Sequence, residues 1–516
     1  MTTASPQLSP MSPPLRRVIL IVLFIGALGL RLYGITDPPT EFHPMRQARA
    51  AIIARDMYFT AVPSAAPDWE RQIAAESASK EELLEPRIIE RAAALMYQVA
   101  GGEHLWLPRL LSALFWLAGG YLLIRLARKL MSEDAALVAG AFFLLNPFTI
   151  PASRVIQPDP LMILFMLAAI NLIVWYDDQP SWRRLVVTAL VASLSPLVKP
   201  ISILAIFMAF VALSLVRRRS WRTLFTPQVI AFGAILAGPM LIYYLAGVVR
   251  GTGMGGEATN DIIPSLLTQR SFYGGWFTQI GKAIGPLTFL AALLGFVLMK
   301  PGRVRTIVAG MGIGYGIMGL IFTYTISTHD YYQLQLIPIV ALCLPAIVLP
   351  AIERLGTVLT KDITRAAFLS LLVVILALFS AYENFWRFTF RYYYQNTDAA
   401  IAKFGPQIGQ TVGHSDRVIM LADSDDRPLT YYALITGSGW PYGPSGDIGK
   451  AVGVKTPDAS ETLAALQASR QPYDYFIVTD FGELQTQPQL QQVLKQYPVL
   501  AQTPQYIIYD LRQSHP

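Results

Sequence analysis

"LWLPRLLSALFWLAGGYLLIRLARKL", residues 105–130, decides what kind of protein this is. Its apolar core, from 108 to 126, is long enough to cross about 30 Å of hydrocarbon as a single helix. It closes on Arg125, Arg128 and Lys129, the basic edge that cytoplasmic membrane loops carry.

The pattern recurs along the whole chain. Of 516 residues, 53% are hydrophobic and 15% charged, and the mean hydropathy of +0.42 is far from that of a soluble domain. Apolar cores near 17–35, 108–126, 135–151, 161–176, 184–198, 200–216, 228–248, 283–299, 306–326, 334–352 and 366–385 predict about eleven spans. The fold class is therefore a polytopic α-helical membrane protein. The first run starts with Arg16 and Arg17 like a signal peptide, but it lacks a small-residue cleavage site and reads as a retained anchor. The net charge of +7 sits in short loops between apolar runs, a membrane bias that argues against nucleic-acid binding. A lone cysteine, Cys343, excludes an intrachain disulfide and a cysteine zinc site.

Lysines and arginines alternate from loop to loop. One side collects Arg16, Arg17, Arg125, Arg128, Lys129, Arg183, Arg184, Arg217, Arg218, Arg219, Arg222, Lys300, Arg303, Arg305, Lys361 and Arg365, which makes it cytoplasmic. The loops at 36–107, 152–160, 249–282 and 327–333 then face outward. This gives a cytoplasmic tail over 1–16, a membrane domain over 17–385 and an extracytoplasmic α/β domain over 386–516. In that last domain "RVIMLAD", "YDYFIVTD" and "YIIYDLR" read as strands and "SETLAALQASR" as a helix. Asp423, Asp425 and Asp426 after the first strand fit either a metal site or a solvated turn.

Chemistry-bearing residues concentrate in the outer loops. The first loop opens with "EFHPMRQARAAIIARDMY", residues 41–58, which places Glu41, His43, Arg46, Gln47 and Arg49 at a membrane edge. Residues 46–58 and 86–99 have apolar positions at helical spacing, predicting two amphipathic helices in the interface. Glu85 stands just ahead of the second, either favoured by the helix N-terminus or functional. In "SRVIQPDPLM" two prolines bracket Asp159, with Arg154 and Gln157 beside it; a helix cap and a catalytic or binding role are both open. Lys199 in "LVKPIS" lies between two apolar runs, where it must pair, snorkel or meet an anion. "STHDYYQLQLIP" brings His329, Asp330, Tyr331 and Tyr332 to another span edge. The "GTGMGGEATND" segment, 251–261, reads as a lid or a flexible linker.

In order along residues 15–350, "ARDMY", "EPRIIERAAALMYQVAGG", the 105–130 segment, "QPDPLM", "LVKP" and "HDYY" resemble the GT-C glycosyltransferases. The resemblance is to the branch of the protein mannosyltransferases and the lipid A aminoarabinose transferases. It implies an enzyme of a bacterial inner membrane that moves a sugar from a polyprenyl-phosphate carrier to a hydroxyl of a protein, lipid or glycan, with inversion, on the outer face. Many relatives carry an acidic pair about two turns before the "AR-acid-M" sequence, its first member being taken as the base. Here Arg46-Gln47 stand there, so the usual base is missing from its usual place. Asp159 and Glu41, then Glu85, are the carboxylates left for that role. His43, Arg46, Gln47, Arg154, Lys199, His329, Tyr331 and Tyr332 are the candidate substrate-binding residues. Relatives can also use a divalent metal at the phosphate, for which Glu41, His43, Glu85, His329 and Asp330 are the donors to examine. The rival readings are a transporter or flippase of lipid-linked sugars, a diphosphate-linked polymerase or ligase, and an inactive relative.

Overall fold

The apolar runs become helices, and the helices form one bundle with the segment 36–107 packed at one end. The computed structural model describes residues 12–83, 85–250, 262–358, 364–386, 397–422, 426–441, 458–468 and 472–513. The segment 251–261 and the residues Asp423 and Asp425 lie outside these.

Among the described residues six helical segments are long and apolar enough to cross a membrane: Trp106–Leu130, Asp159–Asp178, Pro200–Arg218, Pro227–Val249, Arg303–Ile321 and Asp330–Arg354. A seventh arises if Arg270–Ile284 and Pro286–Leu298, bent by 91° at Gly285-Pro286, count as one span. The chain is a multi-pass membrane protein, but the expectation of about eleven long spans is corrected to six or seven. The causes are local. Helix Glu133–Leu145 stops at Asn146, whose side chain accepts from the amides of Phe148 and Thr149 and turns the chain. Trp182–Val198 has 17 residues and an internal Pro196. In Pro13–Leu32 the apolar run is confined between Arg17 and Arg31. In Thr364–Trp386 only the shorter stretch Ala367–Glu383 counts as an apolar helix.

Close approach of the helices depends on small residues. Gly310 and Gly314 lie one turn apart on Arg303–Ile321, and a Cβ on either would strike the backbone of Met208–Ala209 or Leu204–Ala205. Two helix backbones can meet there because neither glycine has a side chain. At one end of the bundle Arg16 reaches Glu133 and Asp134 at 3.8 and 3.7 Å, Lys129 meets Asp178, Arg303 meets Asp178 at 2.5 Å, and Arg217 meets Asp177 at 3.4 Å. These cations belong to the loops that the charge pattern groups on one side.

The segment 36–107 holds three α-helices rather than two: Pro44–Ala61, Asp68–Lys80 and Ile88–Ala100. Pro44–Ala61 does not float in the interface with one wet face. Gln47 to Ala54 are all buried, because the other two helices and the C-terminal region cover it. Asp68 and Glu70 in the first turn and Lys80 in the last suit the dipole of the second helix. The third helix ends at Gly101, whose φ of 74° favours glycine.

The C-terminal region contains a mixed sheet of β1 (Val418–Leu421), β2 (Gly437–Gly439), β3 (Tyr475–Val478), β4 (Val499–Gln502) and β5 (Ile507–Asp510). Its order is β2-β1-β3-β5-β4. β1 pairs in parallel with β2 and β3, whereas β3, β5 and β4 are antiparallel. Side chains alternate between two cores, with Val418, Met420 and Ile477 on one face and Ile419, Leu421, Phe476 and Val478 on the other. The expected helix is Ala459–Gln467, capped by Asp458.

This sheet region sits on the first loop. Arg55 lies 3.9 Å above the Tyr431 ring, donates to Glu103 at 2.8 Å and to the Tyr431 carbonyl at 2.9 Å. Arg427 donates to both oxygens of Glu81, at 3.0 and 2.9 Å, and Trp69 stacks on His414 at 4.5 Å.

Candidate functional site

At the end of the bundle away from the Asp177 and Asp178 ion pairs lies a cavity of about 470 Å³. Arg46 and Arg49 enter it from the first loop helix, Glu82 and Glu85 from the turn before Ile88–Ala100, Lys199 from a helix end, and His329, Tyr331 and Tyr332 from the start of the segment Asp330–Arg354 and the residue before it. Met240, Leu241, Tyr244 and Phe322 form an apolar wall, and Arg427 closes the edge from the C-terminal region.

The charges are ordered by pairing. Arg46 donates to Glu85 at 3.0 Å. Burial on its own would raise the Glu85 carboxyl, but Arg46, Lys199 and Arg49 outweigh it and hold the group below the ordinary range. Burial likewise opposes the charge on Arg46, and Glu85, Tyr331, Tyr332 and Asp159 together outweigh it. Arg49 donates to the Glu82 carbonyl and faces Glu81 at 3.5 Å and Glu90 at 3.8 Å. Its charge is disfavoured first by burial and then by Arg46. His329 is pushed down to about 4 by burial, with His43 and Arg46 adding to the effect, so it is a neutral donor or acceptor near pH 7.

Lys199 is buried and bonds both oxygens of Asp159, at 2.9 and 3.0 Å. Its ammonium also lies 4.5 Å from the Tyr331 ring centre and 5.1 Å from that of Tyr332. Lysine therefore neither snorkels nor stands alone. Asp159 is not a cap: Pro158 occupies the capping position, Asp159 is the first helical residue, and its carboxylate turns to Lys199. Behind the cavity His43, in a left-handed conformation with φ 45°, contacts Asp330 at 2.7 Å and meets the Tyr331 ring edge-on at 4.7 Å.

Of the sequence-derived residues, Arg46, Glu85, Lys199, His329, Tyr331 and Tyr332 line the cavity, and His43, Asp159 and Asp330 support it from behind. Glu41, Gln47 and Arg154 do not line it. Glu41 is buried against Arg109 and, at 3.1 Å, Arg154. Arg109 also donates to the carbonyls of Ile35 and Asp37, and Arg154 donates to that of Tyr33. Gln47 donates to the Pro39 and Phe42 carbonyls and accepts from the Ile156 amide. These contacts knot the start of the first loop to the 152–160 loop. The five candidate metal donors do not converge: Glu41 is held by arginines, Glu85 by Arg46, and only His43 and Asp330 meet. Among the described residues no three His, Cys, Asp or Glu side chains gather as a metal site. The present donors therefore do not fit a metal.

Sequence reading missed Glu82, Arg109 and Arg427 as parts of this architecture, and it noted Arg49 without assigning it a role. Arg109 carried a signal, being a guanidinium inside an apolar run. Arg427 carried none, because its partner Glu81 lies 346 residues away.

Residues 86–243 match the family model of the dolichyl-phosphate-mannose-protein mannosyltransferases. No curated protein matches the chain by sequence. ArnT from Cupriavidus metallidurans, solved bound to undecaprenyl phosphate, superposes with a TM-score of 0.60 at 16% identity, over 96% of this chain and 97% of its own. The same protein in the apo state gives equal values for score and identity, over 96% and 98%. An oligosaccharyltransferase of Archaeoglobus fulgidus, in complex with Zn and sulfate, gives 0.50 at 12% identity, over 93% and 71%. In fold along nearly its whole length, and in sequence over residues 86–243, this chain resembles the GT-C glycosyltransferases of the protein-mannosyltransferase and aminoarabinose-transferase type.

Proposed function

We propose that the chain is a glycosyltransferase that takes a sugar from a polyprenyl-phosphate carrier and passes it, in one inverting displacement, to an acceptor hydroxyl outside the membrane. The observation that carries this reading is the cavity itself, where Glu85, a cluster of cations and an apolar wall of span residues meet. An apolar wall suits the polyprenyl chain, cations suit its phosphate, and a carboxylate suits the acceptor's proton. The undecaprenyl phosphate bound by ArnT, whose fold this chain shares, supports the same donor class.

In this mechanism the acceptor oxygen attacks the anomeric carbon and its proton passes to the Glu85 carboxylate. The bond from that carbon to the phosphate oxygen breaks, and the leaving phosphate takes the electron pair. Arg46 orients Glu85, while Lys199 and neutral His329 stabilise the growing negative charge. Glu85 takes precedence over Asp159 and Glu41 because both of those are buried in ion pairs away from the open volume. Asp159 acts by positioning Lys199. The gathering of basic loop residues at the opposite end supports an outward-facing cavity and an extracytoplasmic region from 386 onward. The acceptor is a protein, lipid or glycan hydroxyl.

The test is release of polyprenyl phosphate from a panel of polyprenyl-phosphate sugars, with envelope extract as the acceptor source. Wild-type protein should release it and folded Glu85→Gln should do so ~10²–10⁴-fold more slowly. Equal rates would remove Glu85 from the mechanism, and no release by folded wild type from any donor would remove the transferase reading. A flippase, favoured by the buried Lys199 and Asp159 pair and the bent helix pair, would move the donor across vesicles without releasing the phosphate.

A further inference from the structure

A second cavity, of about 690 Å³, lies at the other end of the bundle, among the ion pairs of the basic loops. Three arginines line it: Arg217 at the end of Ile203–Arg218, and Arg303 and Arg305 at the start of Arg303–Ile321. Asp177 is the lining carboxylate, so the cationic groups outnumber it. Arg217 contacts Asp177 at 3.4 Å, and Arg303 contacts Asp178 at 2.5 Å and Asp177 at 3.8 Å. Arg305 differs. Its guanidinium donates to the Met299 carbonyl at 3.1 Å and lies 5.4 Å from the centre of the Phe296 ring, and among the described residues it meets no carboxylate.

Apart from Thr306 the remaining walls are apolar, with Leu213, Val216 and Phe296 among them. Next to it Val216, Val297 and Leu298 are each more than half exposed. On a membrane protein such side chains face lipid. The cavity therefore joins an exposed apolar surface at the end of two span helices to a cluster of guanidiniums. A soluble phosphate compound would use the cations but not the walls, and a neutral lipid would use the walls but not the cations.

We propose that this cavity binds one anionic glycerophospholipid, its phosphate held by Arg305 with Arg217 and Arg303 and its acyl chains lying along Val216 and Phe296. The site is separate from the polyprenyl-phosphate reading of the first cavity and stands or falls without it. Basic clusters at the cytoplasmic edge of spans attract such lipids, and at the level of one basic side chain the effect is ~5-fold in affinity.

The experiment uses the full chain, delipidated in a neutral detergent. Native mass spectrometry would follow retention of added phosphatidylglycerol and of phosphatidylcholine with the same acyl chains. Thermal denaturation, with either lipid or with inorganic phosphate, gives a second reading. Phosphatidylglycerol should be retained as one molecule per chain and raise the denaturation temperature more than phosphatidylcholine or phosphate does. Arg305→Gln should weaken retention ~5-fold and Arg305→Lys should restore most of it, so that loss of charge is separated from loss of fold. Equal retention of the two lipids, equal protection by inorganic phosphate, or wild-type retention by folded Arg305→Gln would each overturn the proposal.

Discussion

Asp159→Asn tests how the cavity holds its lysine. Both members of the pair are buried, and Lys199 Nζ lies 2.9 and 3.0 Å from the two carboxylate oxygens. Removing one partner from a buried pair costs about 3–5 kcal/mol, chiefly because the remaining charge loses its counter-ion where water cannot replace it. The Tyr331 and Tyr332 faces already hold the ammonium in the wild type and stay in place in the variant, so they neither add to this loss nor offset it. An asparagine oxygen can still accept one hydrogen bond. The expected loss is therefore near the lower bound, about 3 kcal/mol. Unfolding in mixed micelles by sodium dodecyl sulfate would be followed for wild type, Asp159→Asn, Lys199→Met and the double variant. The double variant should be more stable than the sum of the single losses implies, by about 1–3 kcal/mol, since it leaves no orphan charge. If Asp159→Asn lost under about 0.5 kcal/mol, or the two losses simply added, the pair would not hold the site together.

Other perturbations separate structural from chemical roles. Gly314→Ala should destabilise the bundle by about 1–3 kcal/mol through collision with the Leu204 carbonyl, while Gly312→Ala, which meets nothing within 4 Å, should not; parallel unfolding curves decide. Glu41→Ala should lower stability by about 3 kcal/mol by orphaning Arg109 and Arg154, yet leave transfer per folded molecule intact; a folded but inactive variant would instead make Glu41 the base. His329 has a folded value of about 4 below an unfolded value of 6.5, so the unfolded chain binds its proton first on acidification. Its contribution is complete above about pH 6.5 and is lost as the pH falls toward about 4; His329→Gln should flatten stability across that window, and an unchanged pH profile would show that the imidazole does not face this environment.

Much of the bundle was legible because a bilayer imposes a simple length rule. Residues 105–130 satisfy it, and they form the expected helix. Hydropathy does not report where a helix must stop. Asn146, Pro196 and the Gly285-Pro286 bend end or break runs that look continuous in an apolar count, which is why the expected spans outnumber the long helices. The same limit applies to Pro44–Ala61. Its pattern of small and apolar residues indicates a helix with a buried side, but not that the C-terminal region covers it through Arg55 and Tyr431.

The site was legible as a set of loops rather than as a set of roles. Glu41, Glu85 and Asp159 are all carboxylates in loops beside apolar runs, and the sequence reading puts Asp159 and Glu41 ahead of Glu85. What separates them is which cation each meets: Arg109 and Arg154 bury Glu41, Lys199 takes both oxygens of Asp159, and Arg46 leaves Glu85 on the cavity wall. Two of those three outcomes join segments at least 40 residues apart, and the third joins Arg46 to Glu85 across 39. Pairing across such distances is fixed by packing rather than by local propensity. A carboxylate that already satisfies a buried cation stabilises the charge-neutral fold, and spending it on proton transfer would leave that cation orphaned in mid-reaction. Glu85 differs from the other two in that it and its partner Arg46 both line the open volume, which is the ground for proposing it, rather than Asp159 or Glu41, as the base.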